Sequence, residues 1–257
     1  MSHRAVEVLR AVDLILCEDT RHSRTLLAHY DITTPVEALH EHNEATVVPR
    51  LVRRLADGAS VALVSDAGTP TLSDPGSRLV ASAIAHDLTV VPVPGASAVL
   101  AALSASGLGG GPFTFLGFLD RKGEGRRRQV GALSRLEHPG VLYEAPQRVG
   151  ATLDDLASAG CGNRQAVVAR ELTKQFEEFR RGTVAELAEY YREVPPRGEV
   201  VIIVDGRGPE VPDPAELRHM VVALRAEGLG ARDVARALVE RAGLARNEAY
   251  RLAHEDA

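Results

Sequence analysis

The sequence contains no tryptophan, and aromatic residues make up only 4% of its 257 residues. Proteins that coat single-stranded nucleic acid stack the bases on aromatic side chains, so this scarcity argues against such a general binding surface. No apolar run reaches the roughly 18 residues of a membrane-spanning helix, and no signal peptide opens the chain. We therefore expect neither a membrane protein nor an exported one, but a protein of the cytoplasm.

Cysteine is also scarce. Cys17 and Cys161 lie far apart in the chain, and neither belongs to a CxxC pattern or to a zinc-ligand spacing. Such cysteines are ordinarily buried, reduced thiols in the cytosol, and we predict no metal site. The net charge of −5 argues against coating nucleic acid with the whole surface, although local basic patches are compatible with it.

Apolar segments and helical patterns alternate through the first 110 residues. Four short segments are predicted strands: Asp13–Cys17, Val36–Leu39, Val61–Val64 and Thr89–Val93. Five segments have helical patterns: Met1–Val12, Thr20–Tyr30, Ala45–Ala56, Ser77–His86 and Ala98–Ser106. We expect Thr20 and Ser97 to cap two of these helices and Pro49 to mark the start of a third. The alternation predicts a doubly wound α/β domain with a parallel sheet.

The segment Val61–Gly76, VALVSDAGTPTLSDPG, is the most informative stretch of the chain. Its strand runs into a loop with two Asp, two Gly, two Pro and four hydroxyl residues. Ordinary strand-to-helix connections take about two to six residues, so the length and composition of this loop favour a ligand site over a plain connection. Ligands of open parallel sheets bind at the carboxyl ends of the strands. The polar loops EDTRH (18–22) and HEHNE (40–44) also follow predicted strands, so we expect all three loops to line one cleft.

A glycine-rich joint, Gly107–Pro112, separates this unit from a second α/β unit. That unit has four predicted strands: Phe113–Phe118, Val141–Glu144, Ala166–Ala169 and Glu199–Val204. A second boundary, Gly208–Pro214, precedes three short helical patterns that resemble a helix-turn-helix module. The predicted domains are residues 1–110, 113–207 and 213–257. Small helical pairs are also common as packing caps, so contact between the tail and nucleic acid stays open.

The segment Asp120–Arg128 carries five cations within the eight residues that begin at Arg121. Its glycines predict a mobile loop. Such a loop is either an ordinary solvated surface segment or a clamp for a phosphate backbone, since clustered arginines bind phosphates strongly.

Several segments occur together in the order and spacing of a known family: LILCEDTRHSRTLLAHY, HEHNE, VALVSDAGTPTLSDPGSRLV, VPVPGASAVLAALSASGL, FLDRKG, YEAPQR, ARELTKQFEEFRRGT and PPRGEVVIIVDG. In this combination the chain resembles the bacterial 16S ribosomal RNA cytidine 2′-O-methyltransferases of the tetrapyrrole-methylase-like superfamily. The resemblance implies a two-domain α/β fold, with a small C-terminal helical module and S-adenosylmethionine (SAM) between the domains. It also implies a homodimer that methylates a cytidine ribose in the decoding region of 16S rRNA, within the small ribosomal subunit.

The resemblance assigns residues to the cofactor on both sides of the cleft. The predicted cofactor-binding residues are Asp66, Ala67, Gly68, Thr69, Ser97, Ala98, Tyr143, Glu144, Ala169, Pro196 and Gly198.

Methyl transfer to a ribose hydroxyl requires alignment with the methyl carbon and is helped by a general base. The candidate bases at strand ends are Glu18, Asp19, Asp66, Asp74 and Glu144, with His40 and His42 as alternatives. Glu18 and Asp19 rank first, because the resemblance assigns the loop at Asp66 to the cofactor. Asp19 and Asp74 are alternatively helix caps.

The predicted RNA contacts are mostly cations. They are Arg21, Arg24, His42, Asn43, Lys122, Arg126, Arg127 and Arg128. His42 and Asn43 either bind the nucleotide or shape their own loop.

The chain departs from the family pattern at its beginning. Family members begin with a strand and a TPIGN-like loop, whereas Met1–Arg4 corresponds to the helix after that loop. We expect either a true start upstream, which we favour, or the loss of a central strand, which would leave strand edges unpaired. The absent strand motivates one alternative function, an inactive RNA-binding remnant. The superfamily fold permits another, a SAM-dependent methylase for a small molecule such as a tetrapyrrole.

Overall fold

The computed structural model describes residues 1–207, 214–244 and 246–255. They form two α/β units and a C-terminal group of helices. In these ranges no helix has both the length and the apolar character to cross a membrane. Cys17 and Cys161 are buried, unpaired thiols as predicted, and burial raises the pKa of each.

The first unit has a three-stranded parallel sheet. Its elements are α1 (His3–Ala11), β1 (Leu14–Cys17), α2 (Thr20–His29), β2 (Val36–Ala38), α3 (Glu44–Ala56), β3 (Val61–Leu63), α4 (Ser77–Ala85) and α5 (Ala98–Ser106). The strand order is β2-β1-β3, with Ile15 of β1 opposite Val36 and Ala62. Alternate β1 side chains face opposite sides. Leu16 packs towards α3 and α4, and Ile15 packs towards α1 and α2.

The prediction of a strand at Thr89–Val93 is wrong. These residues form no strand, and the exposed fractions of Val90 and Val91 are 45% and 58%. An apolar run becomes a strand only where a neighbour pairs with its N–H and C=O groups. Within the described ranges no strand pairs with β3 on the side away from β1, so nothing carries the sheet on to this segment.

Two smaller expectations about helix starts are also wrong. Asp19, not Thr20, caps α2, because its carboxylate accepts a hydrogen bond from the N–H of Arg21. Pro49 lies inside α3, which begins at Glu44. Ser97 caps α5 as predicted, accepting from the N–H of Leu100.

The second unit has a mixed sheet of five strands. Its elements are β4 (Thr114–Phe118), α6 (Gly123–Ser134), β5 (Gly140–Glu144), α7 (Val149–Leu156), β6 (Gln165–Arg170), β7 (Glu178–Thr183), α8 (Val184–Glu193) and β8 (Val200–Val204). The order is β4-β5-β8-β6-β7, with β4 and β5 parallel and the other pairs antiparallel. Helices α6, α7 and α8 cover one face of this sheet. Helix α5, although it follows the first unit in the chain, covers the other face.

The prediction of a mobile loop over Asp120–Arg128 is wrong for the second half of that segment. Helix α6 begins at Gly123, so Arg126, Arg127 and Arg128 lie on helical turns. Strand β7, which the sequence did not suggest, pairs with β6 from Glu178 opposite Arg170 to Thr183 opposite Gln165.

The C-terminal group consists of α9 (Pro214–Ala226), α10 (Ala231–Ala242) and α11 (Arg246–Glu255). Its buried residues form a separate core that includes Leu217, Val221 and Leu238. The three predicted helical patterns are therefore confirmed. Of the predicted boundary Gly208–Pro214, residues 208–213 lie outside the described residues.

Candidate functional site

The loop between β3 and α4, residues 65–76, has an unusual backbone. Thr71 and Ser73 have φ angles of 73° and 68°, and Gly76 has a φ of 119°. Residues other than glycine rarely adopt such backbone angles. At Gly76 a Cβ atom would also collide with the side chain of Leu63. Left-handed residues other than glycine recur at functional sites, where the surrounding structure holds them.

The buried carboxylate of Glu44 fixes the end of this loop. Its Oε1 accepts hydrogen bonds from the N–H groups of Gly76, Arg78 and Leu79, at 3.1, 2.9 and 3.3 Å. The first N–H groups of a helix have no partner within the helix, and a negative charge is stabilised beside them. The HEHNE loop therefore caps α4 and ties two strand-end loops together.

Asp74 lies in the same loop, where the first unit meets the second. Burial raises the pKa of Asp74 to about 6, and the negative charges of Glu18, Asp66 and Glu199 act in the same direction. A hydrogen bond from Ser65 opposes the shift. A carboxyl group that titrates near neutral pH is suited to proton transfer.

The second unit faces Asp74 through β4 and β5. Burial, and then the charge of Asp74, raise the pKa of Tyr143, whose hydroxyl is also hydrogen-bonded to the backbone of Val99. The Tyr143 ring packs against Phe115 and Phe118, with ring centroids 4.9 and 5.5 Å apart. Asp74 and Tyr143 therefore mark the opposite walls of one cleft.

Three charged residues of the second unit, Glu171, Lys174 and Glu199, form a cluster that we call the clamp. The ammonium group of Lys174 lies 2.9 Å from Glu171 and 3.0 Å from Glu199. Hydrogen bonds from Lys174 lower the pKa of Glu171, and the two carboxylates raise the pKa of Lys174. Gly198 has a φ of 83°, and a Cβ there would overlap the Glu171 carboxylate. The clamp thus sets the loop that contains the predicted cofactor residues Pro196 and Gly198.

The two residues that the sequence ranked first as bases differ in their surroundings. Asp19 is a cap and an ion-pair partner of Arg21, at 2.8 Å. Its hydrogen bonds with Arg21 hold its pKa well below the usual range, which makes it a poor proton acceptor. Glu18 is exposed, and its charge acts on Asp74. Of the two aspartates, Asp74 is therefore the stronger proton acceptor.

The predicted cofactor residues of the first unit form one continuous surface. Residues 66–69 are exposed, and the Thr69 hydroxyl donates to the carbonyl of Ala96 at 2.9 Å. That bond joins the loop to the turn that contains Ser97 and Ala98. Ala98 packs in the core under Tyr143, and Ala169 belongs to the same core.

Glu144 lies apart from this surface. Successive side chains of a strand point to opposite faces, so Glu144 points away from the face that Tyr143 occupies. Its carboxylate is fully buried and lies 3.3 Å from Arg148 and 4.0 Å from Arg126. It also accepts a hydrogen bond of 2.5 Å from Thr152. The Glu144 carboxylate is therefore part of the interior, and only the backbone of Glu144 is left for the predicted contact with the cofactor.

The predicted RNA contacts also divide into residues bound within the protein and residues exposed to solvent. Arg126 is only 11% exposed and is bound to Asp155 at 2.7 Å as well as to Glu144, so it is an internal residue rather than a phosphate contact. Asn43 shapes its own loop, because its amide bonds the backbone of His40 and Ala38. The other predicted contacts are exposed: Arg21, Arg24, His42, Lys122, Arg127 and Arg128. Of these, Arg21 is paired with Asp19.

Sequence reasoning missed or underrated four residues of the site. Asp74 was only one of several candidate bases. Glu44 was given no role of its own within the HEHNE loop. Lys174 and Glu199 lay within quoted motifs, but their pairing depends on the approach of two distant loops. Among the described residues, no group of three or more His, Cys, Asp or Glu could hold a metal ion.

Comparisons with known proteins place the chain in a family. The family profile described as Tetrapyrrole (Corrin/Porphyrin) Methylases matches residues 1–188. A Synechocystis protein named ribosomal RNA small subunit methyltransferase I is 44% identical over 258 residues, covering 99% of this chain and 92% of that protein. A protein of the same name from Xylella fastidiosa is 45% identical, covering 97% of this chain and 92% of its own length.

Solved structures support the fold. Cobalt precorrin-4 methyltransferase has a TM-score of 0.61 at 18% identity and covers 80% of this chain and 88% of its own. Uroporphyrin-III C-methyltransferase from Thermus thermophilus, complexed with S-adenosyl homocysteine, has a TM-score of 0.54 at 20% identity, with coverages of 80% and 90%. The chain therefore belongs to the tetrapyrrole (corrin/porphyrin) methylase family and, within it, groups with the proteins named ribosomal RNA small subunit methyltransferase I.

Proposed function

We propose that the protein transfers a methyl group from SAM to the 2′-hydroxyl of a cytidine in the decoding region of 16S rRNA, within the small ribosomal subunit. The observation that carries the proposal is the identity of about 44%, over nearly the whole chain, to proteins named for methylation of small-subunit ribosomal RNA. The cytidine, its ribose oxygen and its place in the decoding region come from the family resemblance of the sequence motifs.

The charge of the cleft suits a cationic cofactor. The carboxylates of Glu18, Asp66 and Glu199 act together on Asp74, and Lys174 is bound to Glu199 and Glu171. A sulfonium and an ammonium group are both attracted by such a field. We assign the cofactor to the surface made by Asp66, Ala67, Gly68, Thr69, Ser97, Ala98, Tyr143 and Gly198, which the buried Ala169 and Pro196 support from beneath.

When bound, SAM supplies an electrophilic methyl group on a sulfonium. The chain's own task is to hold the ribose oxygen in line with that methyl carbon and to keep water out. For its oxygen to be methylated, the ribose hydroxyl must lose its proton. We assign it to the Asp74 carboxylate, which is ionised above pH 6 and is a stronger base than an ordinary aspartate. Glu18 is retained as the second candidate.

We assign the approach of the RNA to exposed cations near the strand ends. Lys122, Arg127 and Arg128 have no ion pair within the described ranges, and Arg24 and His42 are also exposed. Structured RNA is bound largely through its shape and its phosphates, so a small basic rim is enough for an acidic protein. We further propose that the protein acts as a homodimer, and in the cytoplasm, where its proposed substrate particle is found.

The test is methyl transfer from labelled SAM, offered small ribosomal subunits or a porphyrinogen in separate reactions. We expect label in the 16S rRNA and none in the porphyrinogen. Label in the porphyrinogen alone would support a small-molecule methylase, as the tetrapyrrole family profile allows. SAM binding without transfer to either substrate would contradict the proposed activity.

A further inference from the structure

A second concave surface lies beside the cleft, at the carboxyl ends of the parallel strands β4 and β5. It is a cavity of about 600 Å³, and its walls include Phe118, Asp120, Arg121, Gln147 and Arg148. A cavity of this size is large enough for one nucleotide, because ligand pockets for small molecules begin near 300 Å³.

The walls of this cavity are held in place by internal hydrogen bonds. One Nη atom of Arg148 donates to the carbonyls of Leu119 and Asp120, at 2.9 and 3.0 Å. The N–H of Asp120 donates to Gln129 at 2.8 Å. Arg148 is in turn paired with the buried Glu144. The cavity is therefore built before any ligand arrives, which lowers the entropic cost of binding.

The chemistry of the walls matches that of a nucleotide. Phe118 is 51% exposed and lines the cavity. Aromatic faces exposed in this way stack bases. Arg121 and its neighbour Lys122 are exposed cations, and the amide of Gln147 is exposed with both a donor and an acceptor.

The cavity also lies close to the proposed reaction centre. The Phe118 ring contacts the Tyr143 ring at 5.5 Å, and Tyr143 faces Asp74 across the cleft. Gly117, which precedes Phe118, lies against the hydroxyl of Ser73 in the Asp74 loop. A nucleotide in the cavity would therefore be separated from the reacting ribose by little more than one aromatic ring.

We propose that this cavity binds a nucleotide adjacent to the target cytidine. Its base stacks on Phe118, its phosphate meets Arg121 and Lys122, and the Gln147 amide contacts the base edge. The inference rests on the proposed function, because it assumes an RNA substrate. It adds a substrate subsite, separate from the cofactor surface, that selects RNA by stacking and charge.

The kinetic test compares Phe118→Leu with Phe118→Tyr, using small ribosomal subunits as substrate. We expect Phe118→Leu to raise the KM for subunits about tenfold, with little change in kcat or in SAM affinity, because one stacked base is lost. Phe118→Tyr keeps the aromatic face and should retain a KM near that of the unmodified protein. Phe113→Leu is the matched control, since Phe113 is also exposed (40%) but lines a different cavity.

The absence of tryptophan offers a direct binding test. Phe118→Trp creates the sole tryptophan of the chain, and its fluorescence should be quenched by a short single-stranded RNA of cytidine and adenosine. Phe113→Trp should not respond. Equal KM values for Phe118→Leu and the unmodified protein, or equal quenching of the two tryptophans, would overturn the subsite. Failure of the unmodified protein to methylate subunits would instead overturn the proposed function.

Discussion

The junction between the two α/β units places Asp74 where its negative charge is opposed by three other carboxylates. Burial and the charges of Glu18, Asp66 and Glu199 raise the pKa of Asp74 to about 6, while Asp19, the residue after Glu18, is held ionised by Arg21. Two aspartates at neighbouring strand ends therefore have opposite chemical characters. Their surroundings, rather than their residue type, separate the proposed base from the helix cap.

The rate of methyl transfer should depend on the ionisation of Asp74. Below pH 6 the base is protonated, so kcat should fall about tenfold for each pH unit, and above pH 6 it should reach a plateau. Asp74→Asn should lower kcat by about 10²–10⁴ and remove this acidic limb. The measurement is single-turnover transfer to small ribosomal subunits between pH 5 and 8. An Asp74→Asn protein with the same pH profile as the unmodified one would exclude Asp74 as the base.

The same substitution should stabilise the protein at alkaline pH. The folded pKa of Asp74, about 6, lies above the ordinary aspartate pKa of 3.8, so folding favours the protonated form. The stability that this group contributes is fully present below pH 3.8 and is lost as the pH rises through 6. Asp74→Asn stays neutral, so its Tm should exceed that of the unmodified protein at pH 8 but not at pH 4. Thermal unfolding at both pH values checks this, with the exposed Asp57→Asn as control.

Helix α6 carries arginines with two different tasks. Arg126 faces inwards and is bound to Glu144, Asp155 and Thr152, whereas Arg127 and Arg128 face solvent. One turn of helix is enough to separate them, because successive side chains project about 100° apart. A run of three arginines therefore looks uniform in the sequence and is divided by the geometry of the helix.

Removal of Arg126 should destabilise the second unit. Arg126→Ala leaves the buried Glu144 with a single cation, Arg148, and we expect a loss of about 3 kcal/mol in the free energy of unfolding. Arg127→Ala is the matched control and should change it by less than about 0.5 kcal/mol. Urea unfolding of both variants measures the difference. Equal stability of the two proteins would contradict the internal role of Arg126.

The exposed pair on α6 should act on RNA instead. Replacing Arg127 and Arg128 together with alanine should weaken binding to small ribosomal subunits and flatten the dependence of log K on log salt by about 2. SAM affinity, measured by calorimetry, should stay the same. Unchanged subunit affinity at both low and moderate salt would remove these residues from the RNA surface.

Element by element, the sequence predicted most of the fold, and each failure has a physical cause. The apolar run at Thr89–Val93 has the composition of a strand, but pairing partners are supplied by tertiary structure, and β3 offers none in the described ranges. Strand β7 was missed for the opposite reason: EFRRGT has a single large apolar residue, Phe179. Its charges are satisfied by neighbours, such as Arg170 with Glu178 and Arg180 over the Tyr190 ring. Periodicity cannot reveal such partners.

The sequence predicted which loops form the candidate site, but it did not predict the role of each residue in those loops. Strand-end position identified the Asp66–Thr69 loop and the EDTRH and HEHNE segments, because the edge of a parallel sheet gathers them. The ranking of bases depended on the surroundings of each carboxylate. Asp19 is paired with Arg21, only two residues away. The pKa of Asp74 is raised by burial and by the charges of Glu18, Asp66 and Glu199, which the fold brings from other loops. Strand alternation places the side chains of Tyr143 and Glu144 on opposite faces of the sheet. The sequence alone does not show which of those faces is buried.

Taken as a whole, the molecule joins an acidic, cation-attracting cleft to a basic and aromatic margin. The cleft lies between Asp74 of the first unit and Tyr143 of the second, and the margin runs from Phe118 to Arg128. Helix α5 connects the two units, because it follows the first unit in the chain and packs on the sheet of the second. In our proposal, the cleft is the cofactor site and the margin is the RNA surface.

The most direct test of the account is the identity of the methylated nucleoside. Small ribosomal subunits that lack the modification are incubated with the protein and labelled SAM, and the 16S rRNA is digested and resolved by mass spectrometry. We predict a single labelled product, 2′-O-methylcytidine, from one position in the decoding region. A label on a base, on several positions or on no nucleoside at all would contradict it.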